Sequence, residues 1–530
     1  MINSLRVKNL RSILDSGDID LRRINIVLGK NSVGKSTLVR TLPLLRQSTE
    51  QATKGPILWF GRLVDFGSFQ NSVNVKKRED GITFEFVLSI EKGMDVSRLR
   101  AQQNMFVYLP DDFRPCDALP RVRVSISLGN GPDDKVGHLR SVEIDLGSDQ
   151  VSARFSRDAL TGLSVSGEDI DLGAGRRWIN QAGKFIPLPQ VARLKKWEIE
   201  GKEQEYWTLD SKLFKDQLLL AVTPLFHKKT KPETIEDLVE DLTYGSEAGF
   251  FAQLQELSHI TSHAQKSVSA LEADDERTVK IRRAVLLSQI SKLFRYIDRE
   301  ICEFAGSVRY VEPVRAIAER YYRLQDLAVD EIDSRGANSA MFINSLSRSE
   351  QRDLKEWTRS RLGFYAYVDE SSGHVQVKIS SSKEEGKNIA DLGFGYSQLL
   401  PIVLQLWHST SNKRSAKLRQ GPPPLLAIEQ PELHLHPQFQ AQIADVISSV
   451  IRNSEETETA SFMIETHSEH LVNRFGHLIS KGNLNPEDIQ VLIVETDNHA
   501  MSTVKCISFD ANGFLGGDWP SGFFVPELPR

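Results

Sequence analysis

The chain has 530 residues, 40% hydrophobic and 26% charged, which is enough apolar material for more than one core. Lys and Arg number 66 against 71 Asp and Glu, a formal net charge of −5, so no molecule-wide positive field draws the protein to nucleic acid and only local basic patches can do so. Cys116, Cys302 and Cys506 form no C-x-x-C pair, which argues against a zinc site or disulfide framework, and apolar runs such as residues 218–222 and 399–404 are too short to cross a bilayer; a cytoplasmic protein without membrane contact is expected.

Leu5-Arg6-Val7-Lys8-Asn9-Leu10 alternates like a half-buried strand and lacks the apolar core of a signal peptide. Residues 24–28 form a short, mostly apolar run followed by glycine, which predicts a buried strand. Residues 37–45 then read as a helix that Pro43 ends or kinks. Residues 82–165 alternate repeatedly and predict antiparallel sheet, with polar turns such as Asn130-Gly131-Pro132. Residues 208–304 read as mainly helical. The clearest case is 281–304, where Leu286, Ile290, Leu293, Phe294 and Ile297 recur at helical spacing. No heptad run is sustained, which argues against a long coiled-coil arm.

From residue 388 the pattern returns to α/β. A polar, proline-ended connector at 409–424 precedes an apolar strand at 425–428, and strands at 461–464 and 489–494 follow helical segments. The expected organisation is an α/β fold split in sequence. Residues 1–80 and 306–530 form its two parts, and a mainly antiparallel β region at 81–206 and a helical region at 207–305 are inserted between them.

Gly29-Lys30-Asn31-Ser32-Val33-Gly34-Lys35-Ser36-Thr37 matches G-x-x-x-x-G-K-[ST] between a predicted strand and a predicted helix. In such a loop the main chain around Asn31, Ser32 and Gly34 turns its N–H groups toward phosphate, and the helix opening at Thr37 adds positive partial charge. Lys35 reaches the outer phosphates and Ser36 helps hold Mg²⁺, so ATP and Mg²⁺ are the expected ligands. Leu425-Leu426-Ala427-Ile428-Glu429 is a strand delivering a carboxylate, as an acid of the Mg²⁺ shell requires.

With these two motifs the chain resembles the ABC-type ATPases in their SMC/RecF/OLD-like branch. The resemblance implies an ABC-type P-loop ATPase head split in sequence, with a β-then-α insertion. It places Glu429 at the Mg²⁺ acid, His436 where many members have the D-loop Asp, and His467 at the switch histidine that contacts the γ-phosphate. Asp391-Leu392-Gly393-Phe394-Gly395-Tyr396-Ser397-Gln398 is similar, in a loose order, to the signature motif. That motif would bring Gly395, Ser397 and Gln398 to a γ-phosphate held by the opposite subunit, in an ATP-sandwich dimer or higher oligomer. Arg11 and Gln70 match positions near the nucleotide and at the Q-loop, and each reads equally as plain surface.

Gln430 occupies the position of the family's catalytic Glu. An amide does not accept a proton from water at neutral pH. Two readings stand: hydrolysis is slow and bound ATP mainly holds a closed dimer, or Glu432 supplies the carboxylate. Glu432 reads equally as an acidic residue near a helix start. His434, His436, His467 and His470 lack the carboxylate spacing of a metal cluster.

The OLD-like branch often carries a Toprim nuclease after the ATPase. Here only a short tail follows His467, without a glutamate and D-x-D pair in apolar strands. Tyr310-Val311-Glu312-Pro313-Val314-Arg315 and Trp519-Pro520-Ser521-Gly522-Phe523-Phe524 resemble segments of stand-alone ATPases of this branch. Some of these, the PtuA family of Septu systems, also found with retrons, serve anti-phage defence beside a separate HNH nuclease. The implied role is an ATP-controlled sensor and regulator of such a nuclease, with DNA or a retron reverse transcriptase–DNA complex as a further partner. The alternative is a DNA-repair or chromosome-maintenance ATPase that acts on DNA through Lys76-Lys77-Arg78, Lys195-Lys196 and Lys228-Lys229-Thr230-Lys231. The large insertion argues against a transporter subunit.

Overall fold

The structure is a computed structural model. It describes residues 2–516 apart from 52, 54, 93–112, 131–135, 200–201, 259–260, 325–328, 372, 382–385, 411–421, 453–459 and 498–500. Most of the turn expected at Asn130-Gly131-Pro132, the middle of the 409–424 connector and the 519–524 segment lie outside the described residues. The chain forms two compact units. One comprises Val7–Glu50, Trp59–Gly67 and Glu303–Arg530, and the other Met1–Arg6, Gln51–Leu58 and Ser68–Cys302.

The first unit is α/β, and its sheet joins strands from both ends of the chain. Ile24–Gly29 lies between Ser461–Glu465 and Ile489–Thr496, parallel to both. Leu425–Glu429 pairs parallel with Ser461–Glu465 on one side and with Val308–Val311 on the other. Ser502–Ile507 runs antiparallel to Ile489–Thr496 and parallel to Ile13–Asp15. Ile24–Gly29 and Leu425–Glu429 are buried at every position; the second therefore reads as an unbroken apolar run up to its acid, and the first is interrupted by Asn25, whose side-chain amide donates to the Arg22 and Phe462 carbonyls. Helices Phe394–Thr410, Pro437–Arg452 and Glu469–Ser480 contribute Leu404, Trp407, Ile447 and Phe475 to the same core. This is the split α/β P-loop fold expected from the sequence: the loop after Ile24–Gly29 and the acid-bearing strands belong to one sheet although some 400 residues separate them.

Helix Lys35–Glu50 runs through Pro43, neither ending nor restarting there. An interior proline costs about 3 kcal/mol. The helix tolerates it because Leu38, Leu42, Leu44 and Leu45 are all buried, and because Arg46 is fixed by Glu331 at 2.5 Å, by the Val308 carbonyl at 2.7 Å and by Glu50 at 2.7 Å.

The second unit holds an antiparallel ladder in the order Ile82–Ile90, Leu119–Gly129, His138–Asp145, Gln150–Ser156, Ala159–Val165, Glu168–Asp169. A three-stranded sheet, Arg176–Gln181, Leu188–Ile199 and Lys202–Leu209, follows, and then helices from Leu213 onward. The predicted 281–304 helix is two helices, Glu276–Ser288 and Ile290–Ser307, broken at Gln289. There the Gln289 N–H is shared among carbonyls of the preceding turn, and its side-chain amide donates to the Leu242 carbonyl at 3.1 Å. Apolar spacing persists across the break, so periodicity does not reveal it. Asp149 is fully buried and receives Arg282 Nε at 3.0 Å and Arg283 Nε at 2.9 Å, tying the helical part to the ladder.

Candidate functional site

The phosphate loop leaves the sheet at Gly29 and enters the helix at Lys35. Gly29 has φ +156° and a Cβ there would sit 2.6 Å from the Val494 carbonyl oxygen. Gly34 has φ +103° and would clash with the Ser12 hydroxyl at 2.5 Å. Only glycine fits either position, and with Ser32 at φ 63° the main chain curls as an anion-binding turn does. Lys30, Asn31 and Ser32 are exposed, while Lys35 is buried and donates from Nζ to the Lys30 carbonyl at 2.6 Å. Burial lowers the Lys35 ammonium, and the charges of Glu465 and Glu432 oppose that.

Behind the loop, the parallel register sets Glu429 beside Glu465 at the ends of neighbouring strands. Both are 1% exposed. Their surroundings differ. Glu429 receives Arg40 through a two-pronged contact, Nε at 2.7 Å and an η nitrogen at 2.8 Å, plus the Tyr310 hydroxyl at 2.6 Å. Its hydrogen bond raises the Arg40 guanidinium, and burial, followed by the charge of Glu429, raises the Tyr310 phenol. Glu465 receives only the Ser36 hydroxyl, on Oε1 at 2.9 Å, and Oε2 has no partner among the described residues. Burial, and then the charge of Glu429, push the Glu465 carboxyl up to about 7. An unsatisfied buried polar atom costs about 1–3 kcal/mol, so this oxygen is an unspent acceptor beside the loop.

Arg315 closes the back of the site. It is buried, and burial lowers its guanidinium to about 10. It donates to the main-chain oxygens of Glu429 at 2.9 Å and Gln430 at 3.2 Å. Gln430 has φ 43°, and its N–H donates to the Glu465 carbonyl at 2.8 Å, which ties the turn after one acidic strand to the end of the other. Glu432 has both oxygens occupied: it accepts the Thr466 hydroxyl at 2.8 Å and the His467 N–H at 2.7 Å. Burial raises its carboxyl. The His467 ring is exposed, and partial burial and then the charge of Lys35 lower its imidazole. The structure thus gathers Lys35, Ser36, Glu429, Gln430, Glu432 and His467 around one loop. His436 is at the start of helix Pro437–Arg452 and accepts the Gln438 N–H at 3.3 Å, a helix-capping position.

Helix Phe394–Thr410 starts at the signature-like turn, and Ser397 and Gln398 are buried in its first turns. The Ser397 hydroxyl donates to the Phe394 carbonyl at 2.7 Å, and Gln398 exchanges hydrogen bonds with the Arg315 main chain at 3.3 and 3.2 Å. Ser397 is 6% exposed and Gln398 1%. Asp391, Gly393 and Phe394 are exposed in the turn, Gly395 is half-buried, and Phe394 packs edge-on against His434. Arg11 lies over the Phe66 ring at 4.2 Å and next in sequence to Ser12, whose hydroxyl meets the Val33 carbonyl of the loop at 3.5 Å. Gln70 is on a short helix, Phe69–Ser72, in the other unit. Lys77 pairs with Asp80 and Lys196 with Glu205, so two of the three basic patches are interleaved with carboxylates. Among the described residues no helix is long and apolar enough to cross a membrane.

Arg40 and Glu465 escape the sequence reading, and Tyr310 and Arg315 enter it only as the ends of a segment resembling other ATPases, without a role in the site. Arg40 lies one helical turn after Ser36, so a basic residue on the loop-facing side of that helix was the available signal. Glu465 ends an apolar strand as Glu429 does, which was the signal for a second acid.

Residues 315–472 match the family model described as AAA ATPase domain. The match supports an ATPase domain in the C-terminal part of the chain. No curated protein matches. Among solved structures, the chain is similar to an Smc head bound to the C-winged helix domain of ScpA, at 10% identity and TM-score 0.33, over 96% of this chain and 98% of that one. It is similar to the SMC head domain from Thermotoga maritima at 8% identity and TM-score 0.32, over 95% and 98%. An Smc head domain with an extended coiled coil bound to the C-terminal domain of ScpA, from Pyrococcus furiosus, is similar at 11% identity and TM-score 0.29, over 96% of each chain.

Proposed function

We propose that the chain is an ATP-binding, slowly hydrolysing ABC-type ATPase whose nucleotide state regulates a separate nuclease of the HNH type in anti-phage defence. The observation that carries the nucleotide part is the loop itself: two positions only glycine can fill, a buried Lys35 and a hydroxyl at Ser36, all set against two carboxylates. These residues fit Mg²⁺–ATP. Ser36 and a neighbouring acid would hold the cation, whose bound form neutralises phosphate charge, and Lys35 would turn from the Lys30 carbonyl to the outer phosphates. Gln430 orients water without taking its proton, and Glu432, with both oxygens engaged, holds the Thr466–His467 turn in place. Slow turnover is the consequence.

Closure by a second copy is part of the reading. The signature-like turn offers its main chain at Gly393 and Gly395 for that contact, in place of the Ser397 hydroxyl. The nuclease partner rests on the stand-alone ATPase resemblance.

The test joins fluorescent-ATP binding to sedimentation with and without ATP, on the full chain and on Lys35→Ala. The expected result is ATP-dependent dimerisation in the wild type, and loss of both signals in Lys35→Ala by at least about 100-fold in affinity. Co-purified partners assayed for ATP-dependent nuclease activity then test the role. A folded wild type that binds no nucleotide refutes the proposal, and direct DNA binding without any nuclease favours the repair reading.

A further inference from the structure

The carboxylate in contact with the phosphate-loop hydroxyl is not the one that the strand pattern points to. Ser36 donates to Glu465 at 2.9 Å, while both oxygens of Glu429 are taken by Arg40 and Tyr310. Glu465 is 1% exposed, and its Oε2 has no partner among the described residues. A hydroxyl that gives its proton to a carboxylate keeps its lone pairs for a cation. A spare carboxylate oxygen beside it is the kind of ligand Mg²⁺ takes, directly or through one of its waters. Arg40 already balances the charge of Glu429. Glu465 is the acid of the pair to which, among the described residues, no guanidinium is bonded, and it is the one on the Ser36 side.

Resting on the reading of the loop as a Mg²⁺–ATP site, we infer that Glu465, with Ser36, is the acid of the Mg²⁺ shell, and that Glu429 is a positioning acid. Clamped by Arg40 and Tyr310, Glu429 fixes the strand end whose main-chain oxygen receives Arg315. The metal ligand is then supplied by the strand that leads directly into Thr466 and His467, so the cation and the switch turn share one short segment.

The experiment measures fluorescent-ATP affinity in EDTA and in Mg²⁺, and Mn²⁺ uptake by electron paramagnetic resonance. It uses the full chain, Glu465→Gln, Glu465→Asp and Glu429→Gln. Glu465→Gln should leave affinity in EDTA unchanged, lose most of the Mg²⁺-dependent gain, and weaken Mn²⁺ binding by about 10- to 100-fold. Glu465→Asp keeps the charge but shortens the reach and should lose part of the gain. Glu429→Gln should keep the gain and melt at a lower temperature. A wild-type Mg²⁺ gain in both Glu465 variants, or its loss in folded Glu429→Gln alone, overturns the inference while leaving the nucleotide site standing. Absence of nucleotide binding in the wild type overturns the nucleotide reading itself.

Discussion

Replacing Arg40 by leucine isolates what the Arg40–Glu429 pair does for the fold. Glu429 is 1% exposed and would be left with the Tyr310 hydroxyl as its remaining side-chain donor. Removing one partner of a buried pair costs about 3–5 kcal/mol. The Arg40 side chain is 32% exposed, so water reaches part of the site and the lower end, about 3 kcal/mol, applies. At about 2 °C per kcal/mol for a large unit, the transition that reports the phosphate-loop unit should fall by about 6 °C. The double variant Arg40→Leu with Glu429→Leu removes both charges at once. It should recover most of that loss, because the penalty comes from the stranded carboxylate and not from the absent contact. Differential scanning calorimetry on the wild type, both single variants and the double variant reads the cycle. If Arg40→Leu melts with the wild type, or the double variant is no more stable than Arg40→Leu, Glu429 does not depend on Arg40 for its burial.

Gln430→Glu should raise steady-state phosphate release by at least about tenfold, since it places a proton acceptor at the turn after the Glu429 strand. Glu432→Ala should lower it by loosening the His467 turn. A Glu432→Ala loss larger than the Gln430→Glu gain, on the order of 100-fold or more, would instead make Glu432 the base. Acid stability has a definite sign at Arg46. Burial alone would raise the carboxyls of Glu331 and Glu50, but it is outweighed at Glu331 by the hydrogen bond and charge of Arg46 and then the charges of Arg309 and Arg62, and at Glu50 by the hydrogen bonds and charges of Arg62 and Arg46, so both lie below the usual carboxylate range. Their stabilisation is therefore complete above the ordinary glutamate value of about 4.3 and is lost as pH falls through the lower folded values. Thermal melts from pH 7 down to 3 should show Arg46→Gln and wild type converging toward the acid end; parallel curves would refute the assignment.

The legible parts of the site are those whose signal is contiguous. The nine residues from Gly29 to Thr37 are readable because each geometric requirement is met within a few bonds of the next: glycine at strained φ, lysine and hydroxyl at a helix start. The strand ending in Glu429 is readable because a strand buried on both faces is an unbroken apolar run. The helix break at Gln289 and the helix persisting through Pro43 were not readable, since side-chain bonds to distant main chain and burial decide them.

Composition, strand and helix patterning and the phosphate loop were determined by local sequence alone, because conformational preference and apolar periodicity act over a few residues. Which acid meets Ser36, which cation neutralises Glu429, and which side of the signature-like helix faces the core were decided only on folding. Ser36 and Glu465 are 429 positions apart, and Arg40 and Glu429 are 389 apart. The register of parallel strands joins such residues, and no short-range pattern encodes which two strand ends will lie side by side.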